Sequence, residues 1–400
     1  MAGQEVIRYD KKDDDEGMQT MGYLHGLQEA REIIVHADQR MNLECTEVDA
    51  KNRIIIHKGY ESQHLFEIEE FVDTVIGDHS SRAQSVDTYG ERVLKRFGIK
   101  INNWLDRYSD IYRYSPCVEA FYVVCRSIGL LNSYPPVDFQ WQTIERGRGN
   151  ERLIKLVYEL VNQLYVYCHS RVFKESERLR LINGERNQQN VLAMEEAMFS
   201  EEVGRSRWLI LSLTLRYKPD YRQAITPEII QQHRHRFFAA RRYNQLMSGI
   251  KNYAWTIEQG EDTGLHLHVI LFYSAESNRD EYIAMQIGEY WANTVTEGEG
   301  DYWNSNAGKL KIFYRKHGHG VGVGQINWDD QDKRIALRKN LTYLVKTEQY
   351  LMLKIRPVIR TFGTGQLPRK SKPGRPRKWS HLCRNDTDFP VRPPLLPSAY

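Results

Sequence analysis

Residues 201–365 predict an α+β fold, a ferredoxin/RRM-like antiparallel sheet with helices packed on it, and residues 21–200 predict a mainly helical region ahead of it. Three observations carry this. Strand-length apolar runs alternate with helix-length segments in the second half. Two of those runs, over 252–273, flank a turn rich in Gly, Asp and Thr and so form a hairpin. The first half instead repeats its apolar residues at helical spacing, as in Leu153, Ile154, Leu156, Val157, Leu160, Val161 and Leu164.

In chain order, residues 1–20 are polar and acidic (Asp13-Asp14-Asp15-Glu16) and are expected to be disordered. The helical repeat spans Arg152–His169, and a charged helix follows over Arg171–Glu202, with an interruption expected near Gly184. A strand at 208–216 precedes a helix opened by Thr226-Pro227-Glu228, with its cap and N1 proline, that ends near Gly249. After the hairpin come a helix from about 278 to 296, apolar strands at 309–315 and 324–328, and a helix capped by Asp329-Asp330 that runs through Tyr350. The resulting β-α-β-β-α-β order is a ferredoxin-like layout. Nothing in residues 21–200 suggests catalysis; that half can contact DNA, bind a host factor or buttress the other half.

The hairpin carries the most informative residues. Gly264–Phe272 is a short continuous apolar run, and on a strand positions i and i+2 share a face. His266 and His268 therefore point one way while Leu265, Leu267 and Val269 enter a core. Two neighbouring imidazoles on a rigid strand begin a divalent-metal site, or else are a satisfied pair on a half-buried strand. Glu258 closes the preceding strand and supplies a third, anionic ligand. His233-Arg-His235 lies in a helical stretch, where i and i+2 diverge by roughly 200°, and His317-Gly-His319 lies in a glycine-rich loop. Both of these pairs read as surface or backbone-contact histidines.

On the last helix, Leu337, Leu341, Leu344, Val345 and Met352 gather into one stripe at about 100° per residue. Tyr343, Lys346, Tyr350 and Lys339 fall near the opposite side. A helical tyrosine is often core packing. A phenol with an ammonium three residues on is also what covalent phosphodiester chemistry needs, an oxygen to attack and a cation to favour its ionised form. Tyr350 stands seven positions from Tyr343, roughly 10 Å along the axis, too far for both phenols to share one phosphate.

Composition sets the outer limits. The chain has 400 residues, 41% hydrophobic and 27% charged, so it is globular. No apolar run approaches the roughly 20 residues that span a bilayer, and Met1-Ala-Gly-Gln-Glu-Val-Ile-Arg has no signal-peptide layout. Five cysteines at 45, 117, 125, 168 and 383 show no close pair or zinc spacing, as expected of reduced thiols in a cytoplasmic protein. The net charge of +4 is small, so nucleic-acid binding has to rest on local patches. One patch is the Pro-rich tail 366–400. Six of its residues 368–378 are basic, among them Lys372, Arg375, Arg377 and Lys378. Gly374-Arg375-Pro376 flanked by cations, within 368–379, resembles an AT-hook that enters the minor groove of A·T-rich duplex; an ordinary basic tail with non-specific phosphate affinity is the alternative.

The order of a Thr-bearing strand (Trp208–Arg216), then Glu258 with His266-Leu267-His268, then Tyr343-Leu-Val-Lys346 resembles the HUH endonuclease superfamily of rolling-circle replication initiators and relaxases. More narrowly, residues 200–365, including Arg360-Thr-Phe-Gly-Thr-Gly365, resemble the prophage and filamentous-phage (inovirus) replication proteins of the YagK/YfjJ C-terminal domain family. The resemblance implies the ferredoxin-like HUH fold and a bacterial-host setting. It implies Mg²⁺ or Mn²⁺ on Glu258, His266 and His268, with Tyr343 as nucleophile assisted by Lys346. It further implies Thr214 and Arg216 as nucleic-acid contacts, a 5′-phosphotyrosyl intermediate with a free 3′-hydroxyl, and single-stranded DNA, origin duplex and host replication proteins as partners. The alternatives are a non-catalytic DNA-binding prophage regulator on the same fold and a metal-dependent phosphodiesterase that uses water.

Overall fold

The computed structural model describes residues 46–48, 54–56, 63–77, 86–110, 112–131, 150–203, 205–260, 264–316, 318, 320–353 and 359–368. Residues 1–20 and the basic tail from 369 onward, with Lys372, Arg375, Arg377 and Lys378, lie outside them. The described residues form an α+β structure of helices with an antiparallel sheet. No helix among them is long and apolar enough to cross a membrane.

The first half opens with strands β1 (Thr46–Val48) and β2 (Ile54–Ile56), paired antiparallel. Helices α1 (Gln63–Gly77), α2 (Val86–Asp106), α3 (Pro116–Ser127) and α4 (Asn150–Cys168) follow, with the short β3 (Tyr112–Tyr114) before α3. The apolar spacing of α4 buries Ile154, Val157, Leu160, Val161 and Leu164 in one core with Phe71, Phe97, Trp104 and Phe121. Those four rings meet at tilted or T-shaped angles, their centroids 5.0–6.2 Å apart. Each such pair adds roughly 0.5–1.5 kcal/mol beyond the buried area.

Helix α5 (Arg171–Phe199) links the halves. Ser170 caps it, accepting from the Phe173 N–H. It is continuous through Gly184, which is buried, so the interruption expected there does not occur. A glycine costs a helix interior about 1 kcal/mol, and here both flanking segments are anchored by packing. Phe173 belongs to the first core, whereas Val191, Met194, Met198 and Phe199 belong to a core against the sheet.

The second half is built on β4 (Arg207–Tyr217), α6 (Pro227–Ala239), β5 (Ile250–Gly260), β6 (Gly264–Tyr273), α7 (Asp280–Tyr290), β7 (Gly300–Asn304), α8 (Gly308–Lys316), β8 (Gly324–Asn327), α9 (Gln331–Tyr350), β9 (Leu351–Leu353) and β10 (Phe362–Thr364). The sheet order is β10-β5-β6-β4-β7, with β8 also on β4, and every pairing is antiparallel. β6 thus lies between β4 and β5, which run parallel to each other and are joined by α6.

Other elements also differ from the sequence reading. The helix after Thr226 ends at Ala239, and a single turn at Gln245–Ser248, capped by Asn244, precedes Gly249. Residues 309–315, read as an apolar strand, are the helix α8. Leu310 and Tyr314, four apart, are its buried positions, while Ile312 is exposed. The edge of β4 is already taken, by β8 along Arg207–Ile210 and by β7 along Leu213–Tyr217. In the gap between them the Asn306 side chain continues the ladder, accepting from the Ser212 N–H and donating to the Ile210 carbonyl, each at 2.9 Å. Finally, α9 stops at Tyr350, which puts Met352 in β9 rather than on the helical stripe.

Alternation sorts the sheet's side chains by face. Leu209, Leu211, Leu213 and Leu215 of β4 and Leu265, Leu267, Val269 and Leu271 of β6 share one core with α6 and α7. On the other face Trp208, Ile210, Ala254, Ile270 and Phe272 pack under α5 and α9. Beyond that apolar half, the same face is polar: Thr214, Thr256, Glu258, His266 and His268, all buried.

Candidate metal centre and the tyrosine helix

The hairpin register places Glu258 directly opposite His266 and Thr256 opposite His268. The next strand places Thr214 beside His268 on its other side. Three neighbouring strands therefore deliver five polar side chains to one patch of one face, as the period-2 reading of the hairpin requires.

Geometry within the patch is convergent. Glu258 Oε2 lies 3.1 Å from His268 Nε2 and 3.9 Å from His266 Nε2. One ligand atom from each of the three residues falls within 4.8 Å of the others. The opposite ring nitrogens are anchored. His266 Nδ1 lies 2.9 Å from the Gly264 carbonyl, which only accepts, so Nδ1 carries the proton and Nε2 presents its lone pair. His268 Nδ1 lies 3.0 Å from Thr214 Oγ1, which can accept in the same way. Metal-ligating histidines are oriented by such partners. Two imidazole nitrogens and a carboxylate, each at most 6% exposed, make a donor set for a divalent cation. Thr256 adds a second sign of fit: its hydroxyl, in register with His268, is fully buried without a hydrogen-bond partner among the described residues. Buried hydroxyls are normally satisfied, and this one borders the three ligands.

α9 brings Tyr343 to the same place. Asp330 caps the helix, accepting from the Lys333 N–H at 3.4 Å. Leu337, Leu341, Leu344 and Val345 are buried, as their spacing predicts. Tyr343 is buried with them at 8% exposure instead of lying away from the apolar surface, because α9 packs into the angle between α5 and the sheet and is covered over a wide arc. Its ring stands edge-on to His268, the centroids 6.5 Å apart. Lys346, one turn further on, is partly buried.

Both ends of α9 are held. Arg334 donates to Glu195 (2.8 and 3.2 Å) and to Glu196 (2.7 Å), and Arg338 donates to Glu195 (2.7 Å) and to Glu196. Glu195 of α5 is completely buried beneath this pair. At the other end β9 pairs with β3 of the first half, Leu351 opposite Tyr114.

Of the remaining residues picked from sequence, Thr214, expected at the nucleic acid, is 4% exposed and engaged with His268. Arg216 is also buried, its Nε 2.7 Å from Asp301 Oδ2 of β7. His233, expected at the surface, is partly buried, with Nδ1 2.9 Å from the Tyr217 hydroxyl, and burial lowers its pKa. His235 is exposed on the same helix, whereas His317 and His319 lie outside the described residues. Sequence reasoning missed Thr256 and the Glu195–Glu196 clamp. Thr256 had a signal, standing two positions before Glu258 on the same strand face, whereas nothing local links Glu195 to residues some 140 positions on.

Compared with models of known protein families, with curated proteins and with solved structures, the chain matches none of them.

Proposed function

We propose that the chain is an HUH-type single-stranded DNA endonuclease and strand transferase that initiates replication of a phage or prophage element in the cytoplasm of a bacterial host. The observation that carries this reading is the meeting of Glu258, His266 and His268 on one sheet face with Tyr343 edge-on to His268 at 6.5 Å. The strand order β7-β4-β6-β5, with α6 and α7 on one face, supports a ferredoxin-like HUH fold.

Glu258, His266 and His268 would hold the metal, and two imidazoles among three ligands favour Mn²⁺ over Mg²⁺. A bound divalent cation supplies Lewis-acid polarisation of the scissile phosphate. The chain's own residues do the rest. The Gly264 carbonyl and Thr214 fix the two imidazoles. α9, clamped at Arg334 and Arg338, fixes Tyr343. The phenol loses its proton, its oxygen bonds to phosphorus in line, and the P–O3′ bond breaks. The 3′-oxygen takes up a proton to become the hydroxyl that primes synthesis, and the 5′-phosphate stays on Tyr343. One phosphodiester replaces another, so the reverse step rejoins DNA without an energy source. Lys346 offers a cation to the phenolate or to the charge developing on phosphorus. Substrate reaches this sheet face as a single strand; origin duplex and host replication proteins are the wider partners.

The burial of Tyr343 favours a second reading, a water-using phosphodiesterase in which that ring is structural. Incubation of the full chain with random single-stranded DNA and Mn²⁺, followed by mass-spectrometric mapping of tyrosine adducts, separates the two. An adduct on Tyr343 that is lost in Tyr343→Phe is the expected result. Cleavage without adduct selects the hydrolase, and absence of both leaves a DNA-binding regulator.

A further inference from the structure

The sheet face opposite the metal cluster carries a second constellation. Trp255 points there, 4% exposed, in the core shared with α6. Two guanidinium groups converge on its indole, Arg234 of α6 at 4.0 Å from a ring centroid and Arg360, ahead of β10, at 5.9 Å. The backbone is shaped for the ring as well. Gly363 pairs with Trp255 in the ladder, and a Cβ at Gly363 would fall 2.7 Å from Trp255 Cζ2. The segment Arg360-Thr-Phe-Gly363-Thr-Gly365 thus supplies one cation and the clearance for the indole. Two residues back on the same strand face, Tyr253 stacks on Phe238 at 3.9 Å beneath Arg241 at 5.0 Å.

The charges are unbalanced here. Arg216, Arg236, Arg334 and Arg338 each face a carboxylate. Among the described residues Arg234 and Arg360 form no ion pair; Arg360 Nε donates to its own strand at the Phe362 carbonyl, 2.7 Å away. A guanidinium lying over an aromatic ring keeps its in-plane N–H groups directed outward, in the fork that matches a phosphate.

We propose that Arg234 and Arg360 over Trp255 form a phosphate-binding subsite for a nucleic-acid strand, on the face opposite Glu258, His266 and His268. Burial and then the like charge of Arg360 lower the Arg234 pKa, a penalty that an oxyanion between the two guanidiniums offsets. Trp255 precedes Glu258 by three strand positions, roughly 10 Å, and β10 is the sheet edge between the two faces. The inference rests on the reading of this chain as a nucleic-acid enzyme, but not on Tyr343 or the metal.

The test is binding of fluorescein-labelled dT20 to the full chain by anisotropy over a NaCl series, without divalent metal. Arg234→Gln with Arg360→Gln should weaken binding about tenfold at low salt and reduce the slope of log K against log salt by roughly 1.4, two single-strand phosphate contacts. Arg242→Gln, an exposed control on the same side, should do neither. Arg234→Lys with Arg360→Lys preserves the charges if the glutamine variant misfolds, and should restore most of the slope. In the wild-type chain, dT20 should protect the peptides carrying Arg234 and Arg360 from phenylglyoxal. An unchanged slope with no protection overturns the proposal, as does a variant that loses only polyglutamate binding, which would mark a site for an acidic protein. If the wild type forms no tyrosine adduct but the glutamine variant loses affinity, the subsite stands and nicking falls; an adduct with an unaltered slope is the reverse.

Discussion

The Thr214 hydroxyl is buried beside the candidate metal ligands. Its oxygen holds His268 Nδ1 at 3.0 Å, and with it the tautomer that points Nε2 at Glu258. Thr214→Val keeps the side-chain shape and removes that partner. Mn²⁺ affinity measured by calorimetry should fall about 10- to 100-fold, the usual cost of losing such a support, with the melting temperature nearly unchanged. Unaltered affinity would show that the ring is held by its packing alone. The residue scale was also where the sequence was most legible. Glu258, His266 and His268 follow from strand periodicity, because a hairpin with a short turn leaves little freedom in which residues face each other. Thr214, expected at the nucleic acid, is buried against His268. Its place on a strand was readable, but the strand beside it, and hence its contact with His268, was not.

At the scale of elements the strands and helices around the site were legible wherever local pattern and tertiary environment agree, as in β4, β5, β6 and the cap and apolar stripe of α9. They parted at α8, whose apolar residues read as a strand although the edge of β4 is filled by β7 and β8. The clamp on α9 was invisible for a different reason, since ion pairs between helices remote in sequence leave no periodicity. It is nonetheless testable. Glu195 is fully buried against Arg334 and Arg338, so Glu195→Gln leaves two guanidiniums short of a counter-charge. It should cost on the order of 3 kcal/mol and, for the proposed reaction, slow adduct formation more than it weakens Mn²⁺ binding, because the candidate metal ligands sit on the sheet and Tyr343 on the loosened helix. Equal losses in both would mean that the clamp serves the whole fold, not the helix.

Across the whole molecule, the helical half carries its own electrostatic signature. Burial, followed by the charges of Glu69 and Glu177, raises the pKa of Asp73 to about 8 against an ordinary 3.8. Glu69, hydrogen-bonded by Ser115 at 2.6 Å, is raised as well, again first by burial. The folded state therefore keeps a proton that the unfolded chain has released. Stability contributed by protonated Asp73 is complete below about pH 4, and it is lost as pH rises towards 8. Melting temperature should decline over that window and level off above it, and Asp73→Asn should flatten the decline. A profile identical in the two proteins would place the titration elsewhere.

The long helix α5 has a bearing on how the molecule can be divided. Its first turns lie in one hydrophobic core and its last turns in another, so a cut at the sequence boundary near residue 200 would pass through the wall of the second core. A fragment beginning there would uncover Ile210, Phe272 and Leu341, strip Arg334 and Arg338 of Glu195, and leave the Trp208 indole N–H without the Met198 carbonyl it donates to at 2.6 Å. Such a piece is expected to aggregate, which light scattering of a fragment beginning at residue 201 checks. The smallest folded unit containing this sheet therefore begins upstream of Val191.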